Sequence, residues 1–365
     1  MRRQNRSLKA HPTGRLRLLR DIALAAFILG GLFCGYLFYA SVRDIAAYAN
    51  LPFLPGQPTH PAQVAASKGD DPVGKAAVDQ PAAKDTGGYV NILLLGIDAR
   101  GDRDGPCRTD TMILLSVDRV QSTVTMLSIP RDLWVPMPPG LDLGVNRINA
   151  AHLFGDLYKY PGGGPALAKR TVQYNLGVPV HYYVRIDFQG FQRAIDEIGG
   201  IEVNVPREIV DAKYPTADGG VTTLHIEAGR QHMNGDQVLK YVRTRHDNSD
   251  IDRARRQQQV ILAVRDKVLK LDIPLTRLPG LIRILGNSFK TDLPLDEIVA
   301  LAQVTRQMQA TAIRQAVIDE TMTVPWRTPE GWDVLVPQRD KIRALVAELF
   351  PLSALAVVPP ADATE

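Results

Sequence analysis

The stretch YVRTRHDNSDIDRARRQ, residues 241–257, carries five arginines and three aspartates. Charge that dense is either a solvated face or a site built around a strong anion, and helical phase separates the two. At about 100° per residue, Asp250, Arg253, Gln257, Val260, Ile261, Val264, Val268 and Leu271 fall on one face. The lower part of that stripe reads as core. Asp250, Arg253 and Gln257 therefore continue it inward, where charge is costly unless paired or matched by a ligand. Arg255 falls on the solvent side, and Arg256, at the edge of the inward face, stays unassigned. A helix start also offers N–H groups and a positive dipole end, which suit a phosphate. Spacing alone leaves two readings open: an anion site, or an internal Asp–Arg network that only ties elements together.

A second cluster, GIDARGDRDGPCRTDTM (96–112), places Asp98 at the end of one apolar run and Asp110 at the start of the next. Strand ends at one edge of an α/β sheet are where ligands usually bind. Two carboxylates there suit a hard cation such as Mg²⁺, which completes its shell with water and phosphate. An EF-hand loop is excluded: with Gly105 in sixth position, the first ligand would be the cation Arg100. Neither phosphate-binding Gly-rich motif is present. SIPRD (128–132) again sets a charged pair directly after an apolar run, which brings Arg131 toward the same edge. His181, His225, His232 and His246 lack metal-ligand spacing and read as structural or exposed. Cys107 has no placed base and reads as incidental.

These groups need a frame. YVNILLLGID (89–98), TMILLSVD (111–118), TVTMLSIP (123–130) and VHYYVRIDF (180–188) read as strands, the first buried on both faces. FQRAIDEIG (191–199) is a short amphipathic helix, followed by turn and strand in GGIEVNVP (199–206). Asn234 caps a helix running into Tyr241, and 250–271 is a longer helix. Thr291–Asp292 with Pro294 signals a helix start over 291–308. Strands interleaved with helices predict an α/β/α sandwich around one mixed sheet.

Composition limits what this frame can do. The chain of 365 residues has a net charge of +4, yet residues 1–20 alone contribute +7 and no acid, leaving the remainder at −3. A slightly acidic body argues against nucleic-acid binding. The basic tail precedes an uncharged run over 22–42, long enough at about 1.5 Å per residue to span a bilayer. The expected layout is a basic cytoplasmic tail (1–21), a retained transmembrane helix (22–42) and a Pro/Ala-rich spacer (43–88). An extracytoplasmic domain (89–350) and a C-terminal tail (351–365) follow.

GIDAR, RTDTM, LSIPRD, RINAAH (147–152), the glycines of PGGGP, FQG…IDEIGGIEVNVP and HIEAGRQHMNGDQVLKYVRTRHDNSDIDRARRQQQ together resemble the LytR–CpsA–Psr family of bacterial envelope proteins. The resemblance covers about residues 89–270. It implies a membrane-anchored phosphotransferase that moves a glycan polymer from a polyprenyl-pyrophosphate carrier to peptidoglycan as a phosphodiester. It further implies Mg²⁺ (or Mn²⁺) on Asp98 and Asp110, and pyrophosphate contacts from Arg108, Arg131, Arg243, Arg245 and Gln257. Asp250 and Arg253 would support that array. A base for the acceptor hydroxyl would be Asp98, Asp132 or Asp250. A long prenyl tail also needs an apolar slot; the stripe below Gln257, with LPGLIRIL (278–285), reads first as ordinary core and second as the lining of such a slot. Beyond residue 271 no role carries over. Two rival readings use the same site: a polyprenyl-pyrophosphate phosphatase with water as acceptor, and a non-catalytic protein that senses the lipid carrier. Against the second, carboxylates repel phosphate unless a cation intervenes, so Asp98 and Asp110 have no place in a pure binder.

Overall fold

The computed structural model describes residues 88–98, 105–216, 219–244, 250–271, 285–309 and 312–350. The expected transmembrane helix (22–42), the spacer and Arg245 lie outside these residues. Among the described residues no helix is long and apolar enough to cross a membrane.

A six-stranded mixed sheet forms the centre, in the order β11-β6-β1-β2-β3-β12. Its members are β1 (Tyr89–Ile97), β2 (Thr109–Asp118), β3 (Thr123–Ser128), β6 (Tyr182–Asp187), β11 (Phe289–Thr291) and β12 (Ile313–Val317). β1 runs parallel to β6, and β3 parallel to β12, while β2 is antiparallel to both of its neighbours. The carboxyl ends of β1, β3, β6 and β12 and the start of β2 therefore meet at one edge.

Alternation along β1 explains the layering. Ile92 is buried against one face and Leu93 and Leu95 against the other, all at most 1% exposed. On the first face lie α3 (Phe188–Glu197), α4 (Gly235–Arg243), α5 (Asp250–Leu271) and α6 (Leu295–Gln307). On the second lie α1 (Ala150–Leu157), α2 (Gly163–Leu176) and α7 (Arg339–Leu349). The expected α/β/α sandwich is observed.

Local chemistry sets the boundaries. Asn234 accepts from Gln237 N at 3.0 Å while the Gln237 side chain accepts from Asn234 N at 3.0 Å, a reciprocal capping box that starts α4. Asp187 ends β6 and caps α3 through Gly190 N. After α3 the chain turns through Gly199 and Gly200 at φ +71° and +73°, and a Cβ on Gly200 would meet His232 Nε2 at 2.6 Å. Only glycine fits both demands. One expectation is corrected here. Thr291–Asp292 does not begin a helix: Thr291 ends edge strand β11, and the helix starts four residues later behind Pro294. The buried Thr291 hydroxyl donates to Tyr183 O and accepts from Leu293 N, so this start signal is used to fasten the sheet edge.

Smaller elements complete the chain: β4 (Trp134–Pro136) with β5 (Val145–Arg147), β7 (Ile201–Val205) with β10 (Gly229–Met233), β8 (Ile209–Pro215) with β9 (Val221–Ile226), and β13 (Thr323–Arg327) with β14 (Asp333–Pro337).

Candidate active site

The sheet edge carries the charge. Arg131, just beyond β3, donates Nη1 to Asp110 Oδ1 at 2.5 Å and Nε to Asp132 Oδ2 at 3.2 Å. Asp132 holds Arg147 Nε on its other oxygen at 3.3 Å. Burial opposes the Arg131 charge, but the carboxylates of Asp132, Asp110 and Asp250 outweigh it and raise its pKa. Asp250 and Arg253 pair at 3.0 Å on the first turn of α5, with Arg253 6% exposed. Asp110, Arg131, Asp132, Asp250, Arg253 and Gln257 line one groove of about 760 Å³.

Gln257 and Thr111 also line a second space, an apolar cavity of about 210 Å³ between sheet and helices. Leu94, Ile113 and Val184 form its floor on the sheet, and Val260, Ile261 and Val264 its roof on α5. Helical phase was therefore right: the charged top of the α5 stripe faces the groove and its apolar continuation faces the cavity. The junction is held from α5 by Gln258, whose Nε2 donates to Ser128 Oγ and to Ala316 O at 2.8 Å each.

The other predicted residues are placed differently. Asp98 faces Arg243 Nη2 at 4.0 Å, and neither belongs to the groove wall. Arg243 is clasped by aromatics, its guanidinium 4.5 Å from the Phe188 ring and 5.7 Å from the Tyr214 ring. Asp98 and Asp110 sit on adjacent strands at one end, since Ile97 pairs with Thr109. Arg108 is exposed and is not part of the groove wall. Arg245 and His246 lie outside the described residues. His181 is built in: its Nδ1 accepts from Asn91 N at 2.9 Å, and burial lowers its pKa to about 4. His225 and His232 pair with Glu208 and Glu202 at the surface. Burial raises the Cys107 thiol pKa, the reverse of an activated nucleophile.

Two assignments are resolved. Arg255 is solvated beside Asp252. Arg256 is buried and structural, donating Nε to Tyr241 O at 3.0 Å and Nη2 to Thr244 O at 2.5 Å. The far wall of the groove was not foreseen. Val317 to Glu320 and the β13–β14 hairpin form it, in the part of the chain to which no role was carried over. Arg147 was also missed, although it opens RINAAH, one of the stretches that carried the family resemblance.

Among the described residues no group of three or more His, Cys, Asp or Glu side chains is gathered to hold a metal. Two carboxylates at adjacent strand ends fit a cation that takes most of its ligands from water and phosphate. They do not fit a closed structural site.

A profile described as the LytR_cpsA_psr family matches residues 59–350. The chain belongs to that family. It is 37% identical to the polyisoprenyl-teichoic acid–peptidoglycan teichoic acid transferase TagU of Oceanobacillus iheyensis over 58% of its own length and 61% of that relative's. The crystal structure of Bacillus subtilis TagV superposes with a TM-score of 0.56 at 27% identity, covering 71% of this chain and 96% of that one. A structure of TagT bound to LI-WTA superposes with the same score at 25% identity, covering 76% and 95%.

Proposed function

We propose that this chain is a membrane-anchored phosphotransferase that takes a glycan polymer from a polyprenyl-pyrophosphate carrier and joins it to peptidoglycan through a phosphodiester. One observation carries the reading: a groove lined by arginine–carboxylate pairs adjoins, across Gln257 and Thr111, a cavity walled by aliphatic side chains. That is the shape of an amphiphile with a multiply charged head and an apolar tail. The relative from O. iheyensis, named as a transferase of this type, supports it.

In this reading the prenyl chain enters the cavity and the pyrophosphate rests against Arg131 and Arg253, whose guanidinium forks match phosphate oxygens. Asp98 and Asp110 would hold Mg²⁺ or Mn²⁺. A divalent cation there supplies neutralisation of charge on the phosphate oxygens and on the departing polyprenyl phosphate. An acceptor sugar hydroxyl attacks the glycan-linked phosphorus and forms the new P–O bond. The bond from that phosphorus to the bridging oxygen breaks, and the oxygen leaves with polyprenyl phosphate. The hydroxyl proton passes to a groove carboxylate. Asp132 and Asp250 both line the groove, each paired with arginine, and are the two carboxylates placed to take it. The apolar run over 22–42 would anchor the chain, with the domain of 89–350 outside the cytoplasm.

The test is to incubate the full chain in detergent with a polyprenyl-pyrophosphate-linked glycan and peptidoglycan oligomers, with and without Mg²⁺. A covalent glycan–phosphate–peptidoglycan product is expected. Polyprenyl phosphate released without that product would make the protein a hydrolase. Bound lipid with neither product would make it a carrier-binding protein.

A further inference from the structure

All three tryptophans of the chain cluster together, and one of them, Trp326, lines the far wall of the groove. Trp134, on β4, has its ring centroid 6.4 Å from that of Trp326 and 6.4 Å from that of Trp332, meeting them at 63° and 67°. Such edge-to-face packing is stabilising by itself, and it would suffice if the rings were covered. They are not: Trp326 and Trp332 each remain 44% exposed. Trp326, Arg327 and Asp333 line the same groove as Arg131.

The cluster is tied to the reactive edge by a continuous polar chain. Arg131 bridges Asp110 and Asp132. Asp132 holds Arg147, and Arg147 Nη2 donates to Asp333 O at 3.0 Å on the hairpin. Leu335 N donates to Asp132 O at 3.0 Å, and Arg147 pairs across strands with Trp134. These contacts join β4 and the hairpin, which carry the tryptophans, to the segment that carries Arg131.

We infer that Trp326 and Trp332 form a stacking platform for a neutral pyranose of the glycan next to the reacting phosphate. The inference rests on the transferase reading. A pyranose offers a flat face of C–H groups that packs on an aromatic face, and a rim of hydroxyls that needs donors and acceptors. The groove supplies both, in Trp326, with Trp332 exposed beside the same Trp134 ring, and in Arg327, Asp319 and Asp333. The local charge selects against the alternatives. Asp319, Glu320 and Asp333 repel a phosphate-rich polymer, which a polyanion-binding groove would not do. A lipid tail already has the apolar cavity beside Gln257. The sugar comes either from the incoming acceptor strand or from the first units of the donor, and kinetics separate the two.

Because no tryptophan lies elsewhere, intrinsic fluorescence reads this cluster alone. N-acetylglucosamine oligomers added to the full chain in detergent should shift the emission saturably. The double variant Trp326→Leu/Trp332→Leu keeps apolar packing on Trp134 but removes the flat faces, and an unchanged melting temperature certifies its fold. It should lose the emission response. In the transfer assay it should raise KM by roughly tenfold with kcat nearly unchanged, since a remote binding contact is removed and not a transition-state one. A rise for peptidoglycan oligomers alone places the acceptor there, and a rise for the carrier-linked glycan alone places the donor. Wild-type KM for both substrates, or an oligomer titration of the wild-type chain with no response, overturns the inference. Arg131→Ala should slow transfer by about 10²–10³ yet keep the response. A chain that responds to sugar but never transfers would overturn the transferase reading and leave the platform standing.

Discussion

Arg256 and Tyr241 join α5 to the end of α4: the guanidinium donates to the Tyr241 carbonyl at 3.0 Å and lies 5.7 Å from the same residue's ring. Burial lowers the pKa of Arg256, and the nearby carboxylates of Asp252 and Asp211 offset this only in part. Arg256 closes carbonyls that the end of α4 leaves without helical partners. Arg256→Ala is expected to destabilise the fold by about 3 kcal/mol, since it strips buried acceptors of their donors. Arg256→Lys should recover only part of this, because an ammonium cannot reach both carbonyls in one plane. Urea unfolding midpoints measure both variants.

Arg131 should behave in the opposite way. It is joined to carboxylates that stay solvated when it is removed. Arg131→Ala should lower turnover by about 10²–10³, the typical loss of one charge-stabilising donor, while shifting the unfolding midpoint little. Asp110→Asn should also cost turnover, and the remaining rate should respond more weakly to Mg²⁺. Retention of wild-type turnover by Arg131→Ala would remove this residue from the site.

The cavity can be tested by filling it. Val264 on α5 faces the space, so Val264→Phe occupies room the prenyl chain would use. Turnover of a long-chain carrier should fall, whereas a short prenyl analogue that barely enters should be turned over as before. Overpacking itself costs about 1–3 kcal/mol, which a melting curve separates from lost activity. Equal losses for both chain lengths would mean that the tail binds elsewhere.

His181 gives the fold a pH signature. Its folded pKa is about 4, below the ordinary value of 6.5, because burial opposes the charge and Lys169 and Arg119 add repulsion. Between those values the unfolded chain binds the proton and the native chain does not, so stability rises with pH. The contribution is complete above about pH 6.5 and is lost as pH falls toward 4. His181→Gln can still accept from Asn91 N and should flatten this part of the stability curve, measured by denaturant unfolding across the window.

Much of this was legible in the residues. β1 declared itself because a run buried on both faces needs apolar side chains throughout, and α5 because its charged and apolar residues keep one helical phase. Asp250, Arg253 and Gln257 were placed by that phase alone. Asp110 and Arg131 were placed by standing directly next to apolar strands. The misses have a common cause. Thr291–Asp292 is a fair helix cap by type, but the Thr291 hydroxyl binds Tyr183, more than a hundred positions away. Trp326 and Trp332 look unremarkable in a short exposed hairpin until β4 brings Trp134 beneath them. No local pattern encodes the Arg147 bridge from Asp132 to Asp333, which depends on strands far apart in the chain.

The Asp110–Arg131 pair has a thermodynamic meaning for the proposed reaction. A cation seeks Asp110 and a pyrophosphate seeks Arg131, so either one arriving alone must part the pair and leave an uncompensated partner. Arriving together, they part it once and satisfy both sides. Each ligand must then strengthen the other's binding by the same factor, and coupling of this kind is typically about 1–3 kcal/mol. The pair acts as a two-key lock. At rest it keeps the groove's charges matched, and it gives way only to metal and carrier presented together, which protects a costly lipid-linked polymer from being engaged by half of the machinery.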